Sequence, residues 1–220
     1  MLLNNKRETL IFRSTAKLIL FIIGLAPLTW LVTALTCDSI YGTILMSVDP
    51  VQKLNRELGD WALIFLMVTL SVGPLSKILK RKNLIALRRM LGLLTYFYAV
   101  LHLTSYIIID LQLDWHEFVK DVTKRNFIIL GMTSVVLLTP LALTSNNISL
   151  KILGSKSWKK LHYLVYPAAI IAIIHFFMMI RADYHRPIMY ASLLFALLIY
   201  RIWTIEIKNT KIVSRFRSKI

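Results

Sequence analysis

The sequence predicts an all-α fold, a polytopic membrane protein built as a bundle of six transmembrane helices with both termini in the cytoplasm. Three observations carry that expectation. The 220-residue chain is 57% hydrophobic and only 17% charged, yet its formal net charge is +16. Its apolar residues come in long blocks free of Asp, Glu, Lys and Arg. Its basic residues concentrate in alternate loops. A soluble chain this basic would suggest nucleic acid, but nucleic-acid binders are rich in polar residues and this chain is too apolar. The apolar fraction excludes disorder. A single cysteine, Cys37, excludes a disulfide-stabilised module and reads as a structural free thiol. Blocks instead of alternation exclude a membrane β-barrel.

The elements follow in order. The charge-free stretches are 18–37, 61–76, 90–109, 126–150 (mostly apolar over 127–143), 161–180 and 187–200. A helix rises about 1.5 Å per residue and the hydrocarbon core is about 30 Å thick, so about 20 residues span it. The second stretch is short and is expected to include Gly59 and Asp60 at its outer end. The sixth reaches a full span if Arg201 snorkels toward the interface. The predicted spans are therefore 18–37, 59–76, 90–109, 127–145, 161–180 and 187–205. They make one transmembrane domain, 18–205, between an N-terminal segment, 1–17, and a basic tail, 206–220. Lys6, Arg7, Arg13 and Lys17 precede the first stretch as in a signal peptide. That stretch is too long for one and no small-x-small site follows, so it is expected to be a retained helix.

Orientation follows from the loops. The segment to Lys17, the loops 77–89 and 145–160 and the tail from Arg201 hold 20 of the 27 Lys and Arg, with 2 acids, Glu8 and Glu206. The alternate loops hold 7 basic residues and 9 acids. The positive-inside rule places the basic side in the cytoplasm. Asp110, Asp114, Glu117 and Asp121, after the third span, are expected to form a negative outer patch suited to docking a partner.

The span interiors offer no Asp, Glu or Lys, which argues against an ion-coupled transporter. They offer histidine. His102 lies 14 residues after Arg88, and His175 lies 14 residues after Leu161. That is about 21 Å of helix in each case, so both imidazoles sit at one depth in the outer half. Two neutral imidazoles on different helices can supply both axial ligands of a heme iron. The competing reading makes each histidine an interhelical hydrogen-bonding group. His162, 13 residues before His175, sits near the inner end of the fifth span and could serve a second, inner cofactor or stand as a polar interfacial residue. Arg88 and Arg89 occupy the matching depth on the third span and suit propionates or a phosphate, or simply mark topology. Ser105 is placed to bond a cofactor or its own helix. Trp61, Trp115, Trp158 and Trp203 lie near span ends, as interfacial anchors do.

Several segments resemble one known family. They are Arg88-Arg89-Met90-Leu91-Gly92-Leu93, Leu101-His102-Leu103-Thr104-Ser105-Tyr106, Leu153-Gly154, Trp158-Lys159-Lys160-Leu161-His162, Val165-Tyr166 and Ile174-His175-Phe176. Asp49-Pro50-Val51, Gly59 and the stretch 69–74 add to them. Over roughly residues 15–205 the chain resembles the MsrQ (YedZ) family of the ferric-reductase-like transmembrane superfamily. The resemblance implies a multi-pass electron-transport protein of the bacterial cell inner membrane, binding heme b and FMN. The family's histidines map onto His102, His162 and His175. It implies electrons from quinone or a cytosolic flavin reductase, delivered to MsrP. That periplasmic molybdopterin-containing subunit reduces methionine sulfoxide in oxidised proteins, a protein-repair role under oxidative stress. Substrate reduction would thus belong to the partner. Larger ferric reductases and NADPH oxidases carry two histidines on each of two helices, and here Arg88 or Arg89 stands where the fourth would be. The soluble FAD and NADPH domains of those relatives are not expected here. The alternatives are another ferric-reductase-like electron carrier, or a transporter or scaffold with structural histidines.

Overall fold

The structure, a computed structural model, describes the backbone of residues 2–217 and the side chains of 14–204 other than Lys82. The side chains of the predicted tail, 206–220, and of the N-terminal segment up to Arg13 lie outside the described residues. The elements are helices α1 (Leu2–Tyr41), α2 (Pro50–Ile78), α3 (Arg88–Ser105), α4 (Trp115–Lys124), α5 (Asn126–Leu143), α6 (Asn147–Leu161), α7 (Val165–Met179) and α8 (His185–Arg217). A 3-10 stretch, Lys82–Leu87, leads into α3, and a second, His162–Leu164, joins α6 to α7. Six segments are long and apolar enough to cross a membrane: Ser14–Tyr41, Pro50–Ile78, Asn83–Asp110, Asn126–Leu143, Asn147–Met179 and His185–Thr204. No strand occurs among the described residues. An all-helical chain is what a bilayer permits, because every backbone group must find its partner within the segment. Six crossings return both termini to one side.

Two helix pairs make the centre. α2 packs along α3, and α5 packs along α7. One core cluster joins α2 to α5, α7 and α8 through Leu66, Leu70, Leu138, Ala168, Ala169 and Leu194. A second joins α2 to α1 and α3 through Leu31, Ala34, Leu58, Leu91 and Tyr98. α2 therefore contributes to both cores. α5 approaches α7 closely because Ala168 and Ala169 are small and fully buried, and Ser134 Oγ donates to the Ala168 carbonyl at 3.0 Å. α1 lies at the flank, with Leu18, Phe21, Ile22 and Trp30 exposed where lipid would cover them. It is held by Tyr98, which is fully buried. The Tyr98 hydroxyl donates to Gly24 O at 2.7 Å and accepts from Leu28 N at 3.2 Å. That hydroxyl is inserted into what would be a helical i→i+4 bond, next to Pro27, which supplies no N–H.

Two charged side chains near span ends turn toward other helices. Asp60 lies ten residues inside α2, because the helix begins at Pro50, capped by Asp49 accepting from Gln52 N at 2.9 Å. An acid thus stands within a spanning helix, and Arg186 of α8 pairs with it at 2.8 Å. Arg201 does not simply reach for the interface. Its guanidinium lies over the rings of Tyr163 (5.8 Å) and Tyr166 (5.9 Å), and its Nε is buried without a hydrogen-bond partner.

The loop after α3 is also more ordered than its composition suggested. α3 continues as a π-helical turn, Tyr106–Asp110, and α4 follows. Asp110 and Asp114 of the four acids there are exposed, and Asp114, Glu117 and Asp121 have local partners. Asp114 caps α4 by accepting from His116 N (2.8 Å) and Glu117 N (3.1 Å). Glu117 pairs with Lys120 at 2.6 Å. Asp121 is buried, pairs with Arg125 at 3.2 Å and accepts from the Tyr106 hydroxyl at 2.8 Å. Two of the four, Glu117 and Asp121, are thus paired with a cation of the same helix or its cap.

Candidate functional site

His102 on α3 and His175 on α7 meet between the two central pairs. Their ring centres are 6.3 Å apart and the planes cross at 74°. Each ring is tied to the neighbouring helix of its own pair. His102 Nδ1 lies 2.9 Å from the Asn55 carbonyl of α2. His175 Nδ1 lies 2.6 Å from the Phe127 carbonyl of α5. A carbonyl oxygen only accepts, so Nδ1 is the protonated nitrogen in both rings. In the neutral imidazole Nε2 then carries the free lone pair. This is the arrangement of metal-binding histidines, in which the outer hydrogen bond fixes tautomer and orientation.

The separation can be tested against a shared metal. A metal–imidazole nitrogen bond is about 2 Å and a ring nitrogen is about 1 Å from its ring centre, so two imidazoles on one metal have centres about 6 Å apart. The observed 6.3 Å fits. Among the described residues no group of three or more His, Cys, Asp and Glu side chains gathers to make a protein-only metal cage. Two axial ligands suit a metal whose other positions a macrocycle fills. Near them, the Asn55 amide oxygen is buried with no partner. Ser105 takes the bland role, as its hydroxyl donates to the His102 carbonyl at 2.9 Å.

A second site lies toward the basic end. A cavity of about 390 Å³ is lined by Arg88, Arg89, Trp158, Lys159, His162 and Arg201, with Leu66, Leu138 and Leu141 among its apolar walls. The structure thus brings His162, Arg88 and Arg89 to one chamber and adds two cations that spacing did not indicate. No carboxylate is among its lining side chains. The His162 ring stacks on Trp158 at 3.7 Å, and its Nε2 is 3.3 Å from Thr144 Oγ1. Trp158 Nε1 donates to the Thr144 carbonyl at 2.9 Å, so this ring is a wall of the chamber as well as an interfacial aromatic. Arg89 is steadied by Asn147 Oδ1 at 2.7 Å. The unpartnered Arg201 Nε and the all-cationic rim fit an anionic ligand with an aromatic or apolar body.

Arg201 and the Asp60–Arg186 pair escaped the sequence reading for one reason. Positive-inside counting treats every arginine as a topology marker, and nothing in the count says which one turns inward. Trp158 was hidden in the same way by its place at a span end.

The fold and these two stacked sites define a six-helix, multi-pass membrane protein of the ferric-reductase-like class. Residues 58–173 match the family described as ferric reductase like transmembrane component. Within that class the chain belongs to the MsrQ family. It is 39% identical to the protein-methionine-sulfoxide reductase heme-binding subunit MsrQ of Caulobacter vibrioides, over 81% of this chain and 82% of that one. The MsrQ of Polaromonas naphthalenivorans is also 39% identical, over 94% and 93%. The magnetosome protein MamZ of Magnetospirillum gryphiswaldense is 36% identical over 85% of this chain but only 29% of its own length.

Proposed function

We propose that this chain is the heme-binding, electron-carrying membrane subunit of a protein-methionine-sulfoxide reductase system. The observation that carries the proposal is the His102/His175 pair, with Nδ1 engaged, Nε2 free and ring centres 6.3 Å apart. The names of the relatives, heme-binding subunits of that system, support it. In this reading His102 and His175 hold heme b through Nε2. The heme supplies a one-electron carrier in a place where no side chain is a good one. The chain's own residues do the rest. The Asn55 and Phe127 carbonyls hold the rings and raise the basicity of Nε2. The lipid-facing helices keep water from the site. In the inner chamber His162 offers an imidazole, and Arg88, Arg89, Lys159 and Arg201 offer charge for heme propionates or the phosphate of FMN.

The distribution of Lys and Arg supports placing the chamber on the cytoplasmic side of a bacterial inner membrane and the histidine pair toward the periplasm. His162 and His175 are 13 residues apart, about 20 Å along the helix, so the two sites divide the barrier into shorter steps. The chain would link quinone or a cytosolic flavin reductase to a periplasmic molybdopterin-containing partner, MsrP, which reduces methionine sulfoxide. The test is reconstitution in vesicles with the reductant inside and the partner and an oxidised methionine peptide outside. Sulfoxide reduction that requires the chain and is lost in His102→Ala and His175→Ala is expected. Reduction at the same rate without the chain overturns the proposal.

A further inference from the structure

The two histidines are seated in the same way, and the seats are built on glycine. On α2, a Cβ added to Gly59 would lie 3.2 Å from His102 Nδ1 and Cε1. On α5, a Cβ added to Gly131 would lie 2.9 Å from His175 Cε1 and 3.0 Å from its Nδ1. In each case the accepting carbonyl belongs to the residue four before the glycine: Asn55 for Gly59 and Phe127 for Gly131. Residues four apart share a helix face, so the carbonyl and the bare glycine surface make one notch. A helical carbonyl already accepts from the N–H four residues on, but it has a second lone pair. A histidine from the next helix reaches that lone pair only where no side chain stands above it. The spacing repeats as well: Gly59 precedes His102 by 43 residues and Gly131 precedes His175 by 44. The α2/α3 pair and the α5/α7 pair are thus two copies of one device, although no sequence repeat announces it.

We infer that Gly59 and Gly131 are positioning residues that set the axial imidazoles. Their notches hold each Nδ1–H on its carbonyl and lock the two planes at the near-perpendicular angle of 74°. This inference rests on the proposed heme function. It deepens that function by naming what controls the ligand field. The seat at Gly131 is the tighter of the two, 2.9 against 3.2 Å. A methyl group there pushes the His175 ring off Phe127 O, which rotates the ring and weakens its basicity.

The experiment compares Gly131→Ala, Gly59→Ala and Gly73→Ala in the full-length purified protein. Gly73 also lies in α2, but an added Cβ there meets nothing within 4 Å. Alanine favours helix over glycine, so a purely structural role predicts three proteins at least as stable as the parent with unchanged heme. The notch predicts otherwise. Crossed imidazole planes give a strongly anisotropic low-spin ferric resonance. Gly131→Ala is expected to replace it with a less anisotropic or high-spin signal and to shift the midpoint potential. Gly59→Ala should do the same to a smaller degree, and Gly73→Ala should do neither. If Gly131→Ala does not fold, the roomier Gly59 site supplies the same comparison. A parent protein without heme sinks the proposed function itself. A parent with the anisotropic signal, retained together with its potential in both Gly131→Ala and Gly59→Ala, overturns the seats and leaves the function standing.

Discussion

Breaking the Asp60–Arg186 pair tests how the outer ends of the bundle are held beside His102. The Asp60 side chain is only 12% exposed, whereas that of Arg186 is 51% exposed, with the charges 2.8 Å apart. The two single substitutions are therefore not equivalent. Arg186→Gln strands a mostly buried carboxylate. Asp60→Asn strands a guanidinium that already sits half in solvent. Removing one partner of a fully buried pair costs about 3–5 kcal/mol, and loss of an exposed pair costs about 0–1 kcal/mol. The partly exposed pair puts Asp60 between these limits and Arg186 at the second. We expect about 2 kcal/mol for Arg186→Gln and about 1 kcal/mol for Asp60→Asn. The double substitution leaves no charge unpaired and should cost less than the two singles together. Thermal unfolding of the purified protein in detergent, at fixed pH and salt, reads all three differences. Asp60 directly follows Gly59, so the same loosening should broaden or shift the optical spectrum of a cofactor held by His102. An Asp60→Asn protein less stable than Arg186→Gln, or a fully additive double variant, would refute the asymmetry drawn from burial.

Two further outcomes follow from the side chains. Tyr98→Phe removes the hydroxyl between Gly24 O and Leu28 N. These backbone groups can close on each other, so the cost is about 1 kcal/mol in the unfolding assay, and the heme spectrum should not change because Tyr98 serves α1. Arg201→Gln removes one of four cations around the inner chamber. A charged hydrogen bond contributes about 1.5–3 kcal/mol, so retention of an anionic inner cofactor in a titration should fall about tenfold or more. The signal of the His102/His175 site should stay as it was.

The spanning helices were legible because a bilayer makes charge costly, and the gaps between charges carried that information directly. The approach of His102 to His175 was legible in part: equal distance from Arg88 and Leu161 fixed depth, while the facing of the rings depended on packing that no spacing encodes. The outer acids were legible as charge but not as partners of particular groups. Composition counts Asp114, Glu117 and Asp121 as free charge, but a capping bond, a lysine and an arginine engage them within their own turn of chain. α6 reads as a basic loop because Lys151, Lys156, Lys159 and Lys160 dominate it, yet it is helical around a break at Gly154 (φ 74°). The inner chamber was half legible. His162, Arg88 and Arg89 stood out as chemistry, but Arg201 approached from another helix, where its charge read as an anchor. Gly59 stood out only as part of the family resemblance and Gly131 not at all, since an absent side chain has no periodicity to detect.

The most direct measurement is the absorption and ferric resonance spectrum of the purified protein beside His102→Ala and His175→Ala. Tight Nδ1 bonds and a 6.3 Å ring separation predict a low-spin heme with two imidazole ligands in the parent. Either substitution alone should abolish that species. A parent without a Soret band, or one whose low-spin spectrum survives both substitutions unchanged, would contradict the assignment of these two histidines.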